Sequence, residues 1–379
     1  MKTEKKKLTI CFFAPAASIH SLKWAKFFAE NNHIVHLFSF EPVLENYDLG
    51  NIYFHLLKKI PFLDSWIFNI KLTSPLKKYI KEIIKEIKPD IIHCHYLTSY
   101  GSLGMLSGFH PLILTAWGSD ILITPRKKIH SKLSVKYYLQ KANLITCDAE
   151  HMKKEMIKLG ANEARIKIIN FGIDTEKFKS EIINNNLKKE IGVTNEKIII
   201  SLRGLDPIYD IKTLIKAAKL VTKEYTGVKF VIGGTGPQEK ELKDLVENFD
   251  ISDKIIFTGF IDNKNVSSFL NISDIYISTS LSDAGISAST AEAMACELPV
   301  IITDNAENRE WVKNNEGGFF IKPGDVEVLS KKILYLLRND EIRRNFGKEN
   351  RKVIIQKNDY NNEMEKMEKI YYQLININN

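Results

Sequence analysis

Long hydrophobic runs and closely spaced cysteines are both lacking in this sequence. No apolar run approaches the roughly 20 residues that a membrane-spanning helix needs, so no such helix is expected. The 379 residues include only four cysteines, and no two of them stand at the spacing of a metal site. Cysteines within apolar, strand-like runs are mostly reduced and buried. The sequence therefore predicts reduced, mostly buried thiols and no metal site built from cysteines.

Signs of disorder and of a secretory leader are also missing. Hydrophobic residues make up 44% of the chain and charged residues 26%, as in ordinary globular proteins. The start combines basic residues with a short apolar stretch, but that stretch ends at Pro15 in a turn of small residues, as a first buried strand does. We expect a cytoplasmic protein. The net charge of +8 favours acidic partners without choosing among small molecules, lipid surfaces and nucleic acid.

Short apolar runs alternate with amphipathic stretches from end to end. Runs of this kind suit parallel strands that helices cover on both faces. They lie at 8–14, 34–40, 91–94, 112–115, 144–147 and 166–169 in the first half, and at 198–202, 228–232, 255–257, 275–278 and 300–303 in the second. Helix-like segments between them include 21–30, 211–223, 238–247 and 325–337. The pattern occurs twice, which predicts an α/β fold of two Rossmann-like, doubly wound domains.

A polar stretch separates the two halves. It predicts a first domain at 1–175, a second domain at 190–357 and a linker within 171–195. The segment 358–379 has a helical spacing of apolar residues. They are Tyr360, Met364, Met367, Tyr371 and Leu374. Such a helix either packs back on the first domain or caps the second.

Several short motifs occur in the order that one protein family shows. In the second half they are SLRGL at 201–205, VIGGTGP at 231–237, FTGF at 257–260, SDIYISTS at 273–280, EAMAC at 292–296 with PVI at 299–301, and GGFFIKPGD at 317–325. The first half adds HCH at 93–95, WGSD at 117–120 and NFGID at 170–174. Through them nearly the whole chain resembles the family-4 retaining glycosyltransferases, also called glycosyl transferases group 1. These enzymes have the GT-B fold, in which two Rossmann-like domains face a central cleft.

The resemblance implies transfer of a sugar from a nucleotide-sugar, UDP- or GDP-linked, to a hydroxyl of a cell-envelope glycan or glycolipid acceptor. It also implies retention of anomeric configuration, no metal, and no cofactor besides the donor substrate. Two other interpretations stay open: a non-catalytic nucleotide-sugar-binding subunit of a glycan assembly system, and a nucleotide-sugar epimerase. A nucleic-acid partner rests on net charge alone and is not expected.

The donor would be held by residues of the second half. Arg203 follows a buried strand and would clamp the diphosphate, since a guanidinium holds two phosphate oxygens at once. The backbone of Gly285, Ile286 and Ser287 precedes a predicted helix at 289–296, whose positive end would face the same phosphates. Ser287 also suits an N-cap. By resemblance, Glu292 would hold the ribose hydroxyls.

Two further segments complete the predicted donor site. Gly234, Thr235 and Gly236 directly follow a strand, where glycine permits close approach to a ligand. Phe260 and Ile261 stand where the family holds the base, and for Phe260 core packing is the alternative. In the first half, His20, His95 and Asp120 follow buried strands, where open α/β sheets bind ligands. His20 and Asp120 would hydrogen-bond the transferred sugar or the acceptor.

The chain departs from the family pattern near these residues. Tyr209 takes the place of a lysine that commonly follows the arginine, which leaves Lys212 as a substitute cation. Ala284 takes the place of a glutamate eight positions before Glu292, so Asp283 would have to hold the sugar hydroxyls. Trp117 stands where many members carry a histidine.

The stretch 58–88 bears on the acceptor. It carries lysines at 58, 59, 71, 77, 78, 81, 85 and 88, with Phe62, Trp66, Phe68 and Tyr79 between them. Basic residues beside aromatic ones favour peripheral contact with an anionic membrane or binding of a lipid-linked acceptor. The alternative is a solvated helix face near 76–88.

Overall fold

The computed structural model describes residues 6–58, 70–127, 129–181, 184–283, 285–305 and 307–378. The chain forms two compact units, one of residues 1–171 with 361–379 and one of residues 172–360. Ile173, expected within the first domain, and Phe178, expected in the linker, belong to the second unit because both are buried in its core. The four cysteines are free and buried, as predicted.

The first unit contains a parallel sheet in the order β3-β2-β1-β4-β5-β6-β7. Its strands are β1 (Thr9–Phe13), β2 (Ile34–Ser39), β3 (Ile52–Leu56), β4 (Ile91–His95), β5 (Leu112–Thr115), β6 (Leu144–Cys147) and β7 (Ile166–Ile168). Its helices are α1 (Ile19–Glu30), α2 (Ile70–Ile87), α3 (Tyr100–Ser107), α4 (Ser119–Leu122), α5 (Thr124–Lys127), α6 (Ile129–Lys141), α7 (Glu150–Lys158) and α16 (Tyr360–Asn378).

The last helix, α16, is anchored in the first unit by buried polar contacts. The Tyr371 hydroxyl lies 2.6 Å from Nδ1 of His93, and Glu368 Oε1 lies 3.1 Å from Nε2 of His33. Met364 and Tyr371 are fully buried. Since buried polar groups without partners are costly, these pairs fix the position of α16 along the sheet.

The second unit contains a parallel sheet in the order β10-β9-β8-β11-β12-β13. Its strands are β8 (Lys197–Leu202), β9 (Val228–Gly233), β10 (Ile255–Gly259), β11 (Ile275–Ser278), β12 (Val300–Thr303) and β13 (Gly318–Ile321). Its helices are α8 (Asn185–Glu190), α9 (Ile211–Glu224), α10 (Glu239–Asn248), α11 (Asn263–Asn271), α12 (Ala288–Ala295), α13 (Asn308–Trp311), α14 (Val326–Leu337) and α15 (Asp340–Lys357).

Both sheets have the doubly wound strand order of Rossmann folds, as predicted. The order reverses between β1 and β4 in the first unit, and between β8 and β11 in the second. Open α/β sheets bind ligands outside the carboxyl ends of the strands at such a point. Across the described ranges, no helix combines the length and apolar character needed to cross a membrane.

Candidate active site

Loops that follow β8 and β9 pack closely at the carboxyl edge of the second sheet. The Leu205 N–H donates to the carbonyl oxygen of Thr235 at 3.0 Å. A Cβ atom at Gly234 would overlap the Arg203 carbonyl oxygen, and one at Gly236 would lie 2.5 Å from the Leu205 carbonyl carbon. The sequence predicts that Gly234 and Gly236 permit close approach of a ligand. In the structure their lack of a side chain permits close approach of the neighbouring backbone.

A cavity of about 310 Å³ lies beside these loops, within the second unit. Its volume is at the lower end of the range that small-molecule sites occupy. Among the predicted donor residues, those that line it are Arg203, Gly234, Thr235, Phe260, Ile261 and Glu292. The structure thus brings together residues that lie up to 89 positions apart in the sequence.

Arg203 is held by contacts from two other loops. One terminal nitrogen of its guanidinium lies 2.5 Å from Asp283 Oδ1 and 3.4 Å from the Ser280 hydroxyl. The Arg203 and Asp283 side chains are each 10% exposed. Arg203 Nε is buried and has no hydrogen-bond partner among the described residues. An unpartnered donor at a cavity wall is suited to an anionic ligand.

Tyr209 packs against this arginine. The guanidinium carbon of Arg203 lies 4.6 Å from the centre of the Tyr209 ring, within cation–π distance. Lys212, the alternative cation, instead forms an ion pair with Glu241 at 2.5 Å. The ring therefore packs on the arginine at the position where the resemblance leads us to expect a lysine, and Lys212 does not supply the missing charge there.

Helix α12 begins at the cavity. Ser287 is its N-cap and accepts a hydrogen bond from the Thr290 N–H at 3.3 Å, as its sequence position predicts. Glu292 is half-buried and lines the cavity one helical turn after Ser289. Ser289 also lines the cavity and was not predicted, although its i, i+3 spacing from Glu292 places both on one helix face.

The remaining predicted donor residues, Gly236 and residues 285–287, do not line this cavity. Gly285 is buried, and Ile286 and Ser287 are half-buried, just before α12. Ala284 lies outside the described residues. Phe260 has 76% of its surface exposed, so the core-packing alternative for it is wrong. An exposed ring at a cavity rim is available for stacking on a planar ligand.

In the first unit, His20, His95 and Trp117 lie together at the carboxyl edge of the sheet. The Trp117 ring centre lies 6.3 Å from that of His20 and 6.0 Å from that of His95. His95 is fully buried, and neither ring nitrogen has a hydrogen-bond partner among the described residues. Burial and the nearby His20 lower the pKa of His95 to about 3, and burial and Lys23 lower the pKa of His20 to about 4. Both imidazoles are therefore neutral at pH 7.

Asp120 differs from the predicted sugar contact. It is fully buried, its Oδ2 accepts a hydrogen bond from the Leu97 N–H at 2.8 Å, and its Oδ1 accepts one from the Trp117 N–H at 3.0 Å. Burial raises the pKa of Asp120 to about 6, although these backbone donors act in the opposite direction. Its carboxylate therefore holds the loops after β4 and β5 in place and positions Trp117.

The basic stretch 58–88 is described in part. Residues 59–69, which include Phe62, Trp66 and Phe68, lie outside the described residues. Helix α2 buries Leu76, Ile80 and Ile84, and it exposes the lysines at 77, 78, 81 and 85. This arrangement is consistent with a solvated helix face, which the sequence offers as the alternative to membrane contact. The described residues include no group of three or more His, Cys, Asp or Glu side chains placed to hold a metal ion.

Comparisons with known proteins connect both units to glycosyltransferases. Residues 183–353 match the family Glycosyl transferases group 1, and residues 9–149 match the family Glycosyl transferase 4-like. N-acetyl-alpha-D-glucosaminyl L-malate synthase of Bacillus anthracis is 25% identical over 358 residues, 92% of this chain and 91% of that protein. UDP-Gal:alpha-D-GlcNAc-diphosphoundecaprenol alpha-1,3-galactosyltransferase of Escherichia coli is 27% identical over 286 residues, 70% of this chain and 71% of that protein.

Solved structures show the same architecture. A glycosyltransferase from Rickettsia africae ESF-5 has a TM-score of 0.81 at 21% identity and covers 98% of this chain and 99% of its own. HepE from Anabaena, in complex with UDP-glucose, has a TM-score of 0.76 at 17% identity and covers 97% of this chain and all of its own. The two family matches fall on the two units in turn, and the chain belongs to the group 1 glycosyltransferases, with the GT-B fold.

Proposed function

We propose that this glycosyltransferase moves a sugar from a UDP- or GDP-linked donor to a hydroxyl of a cell-envelope glycan or glycolipid, with retention of configuration. The cavity that joins Arg203, Phe260 and Glu292 is the observation that carries the proposal. HepE, in its complex with UDP-glucose, supports a UDP-linked donor. The Escherichia coli galactosyltransferase and the alpha-monoglucosyldiacylglycerol synthase of Acholeplasma laidlawii support an envelope acceptor.

The reaction breaks the bond between the anomeric carbon and the diphosphate and forms one between that carbon and the acceptor oxygen. The acceptor proton passes to the departing diphosphate oxygen on the same face of the sugar. Arg203 and the backbone amides of 285–287 stabilise the negative charge that develops on the diphosphate, which is usually the largest catalytic contribution. Glu292 holds the ribose, and Phe260 and Ile261 contact the base. In this scheme neither a metal ion nor a cofactor besides the donor takes part.

The proposed location is the cytoplasm, with peripheral contact between the lysines of α2 and an anionic membrane. Exposed lysines near a surface of negative potential each contribute about 1 kcal/mol to binding. Flotation with vesicles of phosphatidylcholine, with and without phosphatidylglycerol, measures this contact. Equal flotation in both would contradict the electrostatic contact.

A thermal-shift screen of UDP-, GDP-, ADP- and CMP-sugars tests the donor site. A donor that binds the folded state raises its melting temperature by mass action. We expect a shift with wild type and with Arg338→Ala, a surface arginine paired with Glu224, but little with Arg203→Ala or Glu292→Ala. A full shift in Arg203→Ala would overturn the assignment of the phosphate clamp.

A transfer assay tests the reaction itself. The donor found to bind is incubated with acceptors, with and without EDTA. The rate of product formation is measured, and NMR gives the anomeric configuration of the product. We expect retention and no loss of rate with EDTA. Binding without any product across glycan and glycolipid acceptors would favour a nucleotide-sugar-binding subunit, the alternative that the missing second cation beside Arg203 supports.

A further inference from the structure

A second cavity lies in the second unit, beside the edge strand β13. Its volume is about 650 Å³, well within the range that small-molecule sites occupy. One side is formed by β13 and the others by α14 and α15. None of the residues that line it belongs to the proposed donor site.

The inner wall of this edge cavity is aromatic. The rings of Phe319 and Phe346 have centres 5.6 Å apart, and these two residues are only 3% and 8% exposed. Tyr335 lies 5.7 Å from Phe319 and is 44% exposed. Val328 adds an aliphatic side chain. A concave surface of this composition is suited to an apolar chain.

Helix α14 presents a second face to the edge cavity. Val328, Lys331, Lys332 and Tyr335 follow the spacing i, i+3, i+4, i+7 and all line it. The residues between them, which include Leu329 and Ile333, are buried in the core. The helix therefore has one face for the core and another that is apolar with two positive charges.

Lys331 and Lys332 carry the positive charge of this face. Lys332 Nζ lies 4.1 Å from the centre of the Phe319 ring, and no described acidic side chain forms an ion pair with Lys331 or Lys332. Other cations of this unit, such as Lys313 and Arg338, do have carboxylate partners. The cavity lining contains no carboxylate.

We propose that the edge cavity binds an anionic amphiphile. Its apolar chain lies against Phe319 and Phe346, and its anionic head group lies beside Lys331 and Lys332. Besides the lysines, the lining offers Asn315 and the hydroxyl of Tyr335 as hydrogen-bonding groups. These are too few to satisfy a nucleotide base or a sugar with several hydroxyls, since unpaired polar groups are costly to bury. A single anionic head group needs few partners, and the two lysines, Asn315 and Tyr335 can supply them.

Isothermal titration of the full-length protein with decyl phosphate, kept below its micelle-forming concentration, tests this site. Inorganic phosphate provides the head group alone, and decyltrimethylammonium provides the same chain with the opposite charge. We expect decyl phosphate to bind one to one and at least tenfold more tightly than either. Equal binding of decyltrimethylammonium, or no binding of decyl phosphate, overturns the proposal.

Variants locate the binding. Lys331→Gln/Lys332→Gln should weaken decyl phosphate binding about tenfold, whereas Lys216→Gln/Lys348→Gln, which removes the same charge from exposed positions elsewhere on the unit, should not change it. Val328→Phe keeps both lysines and fills the apolar part, and it should also weaken binding. Equal loss in the two lysine double variants, or full binding by Val328→Phe, would show that the amphiphile binds elsewhere.

Discussion

The ion pair between Arg203 and Asp283 competes with the proposed phosphate ligand. Its atoms lie 2.5 Å apart, and both side chains are 10% exposed, so the pair is only weakly screened by solvent. A diphosphate bound by Arg203 would approach the Asp283 carboxylate. We therefore expect Asp283→Asn to bind UDP more tightly than wild type.

The size of this effect follows from Coulomb's law. Two like unit charges roughly 7 Å apart repel by about 2 kcal/mol at an effective dielectric constant of about 20. Solvent and relaxation reduce this value, so we expect a gain of about 1–2 kcal/mol, which is roughly a 5- to 30-fold lower Kd. Because asparagine keeps only a neutral hydrogen bond to the guanidinium, the free energy of unfolding should fall by about 1 kcal/mol.

Calorimetric titration with UDP measures the affinity, and urea unfolding measures the stability. Glu224→Gln is the matched control, since it removes one carboxylate from an ion pair with Arg338 at 2.9 Å on the exposed surface. We expect no change of UDP affinity in this control.

Two results would refute this reasoning. If Asp283→Asn binds UDP less tightly than wild type, then Asp283 orients the arginine and does not compete with the phosphate. If Glu224→Gln gains affinity as strongly as Asp283→Asn, then the gain reflects net charge and not the local pair.

Other residues give further predictions. Glu292→Gln should lose about tenfold in UDP affinity by calorimetry, because a charge-assisted hydrogen bond contributes about 1.5–3 kcal/mol; an unchanged Kd would remove Glu292 from the donor site. Gly234→Ala should lower the free energy of unfolding, measured in urea, by at least about 2 kcal/mol, because its Cβ would overlap the Arg203 carbonyl oxygen. Gly324→Ala, at a φ of +74° with open space around it, should lower the free energy of unfolding less. Burial lowers the pKa of His20 from 6.5 to about 4, so between those pH values the imidazole is protonated in the unfolded chain but not in the folded one. The free energy of unfolding therefore falls as the pH falls through that window. The melting temperature of wild type should thus fall more steeply than that of His20→Asn between pH 6.5 and 4, and parallel curves would contradict the shifted pKa.

The buried strands could be predicted from the sequence because continuous apolar runs suit them. Each predicted run is a strand in the structure, with ends that differ by at most two residues. Two edge strands, β3 and β13, are not among the predicted runs. The burial pattern of β3 is mixed, and its only strand partner is β2. Helix α3 was missed because it contains Gly101 and Gly104, which are poor helix formers. A Cβ atom at Gly104 would lie 2.5 Å from Cys94 Sγ, so close packing on β4 outweighs helix propensity there.

The motifs predict which residues meet at the donor cavity but not how they pair. Arg203 and Glu292 could be placed because each follows or lies within a recognisable element. The contact of Arg203 with Asp283 joins loops 80 residues apart, and no local pattern encodes it. The burial of Asp120 was also missed, because a carboxylate after a strand has the same sequence pattern whether it contacts a ligand or the backbone.

The position of α16 has a consequence for synthesis of the chain. Residues 172–360 complete the second unit as one continuous segment, whereas the first unit also needs residues 361–379. Met364, Met367 and Tyr371 are fully buried in that first unit. Domains generally fold as they leave the ribosome, so the unit that is begun first is finished last. The second unit is thus an insertion within the first. Exchange of the single segment 172–360 between relatives would leave residues 361–379 and the first sheet derived from one parent.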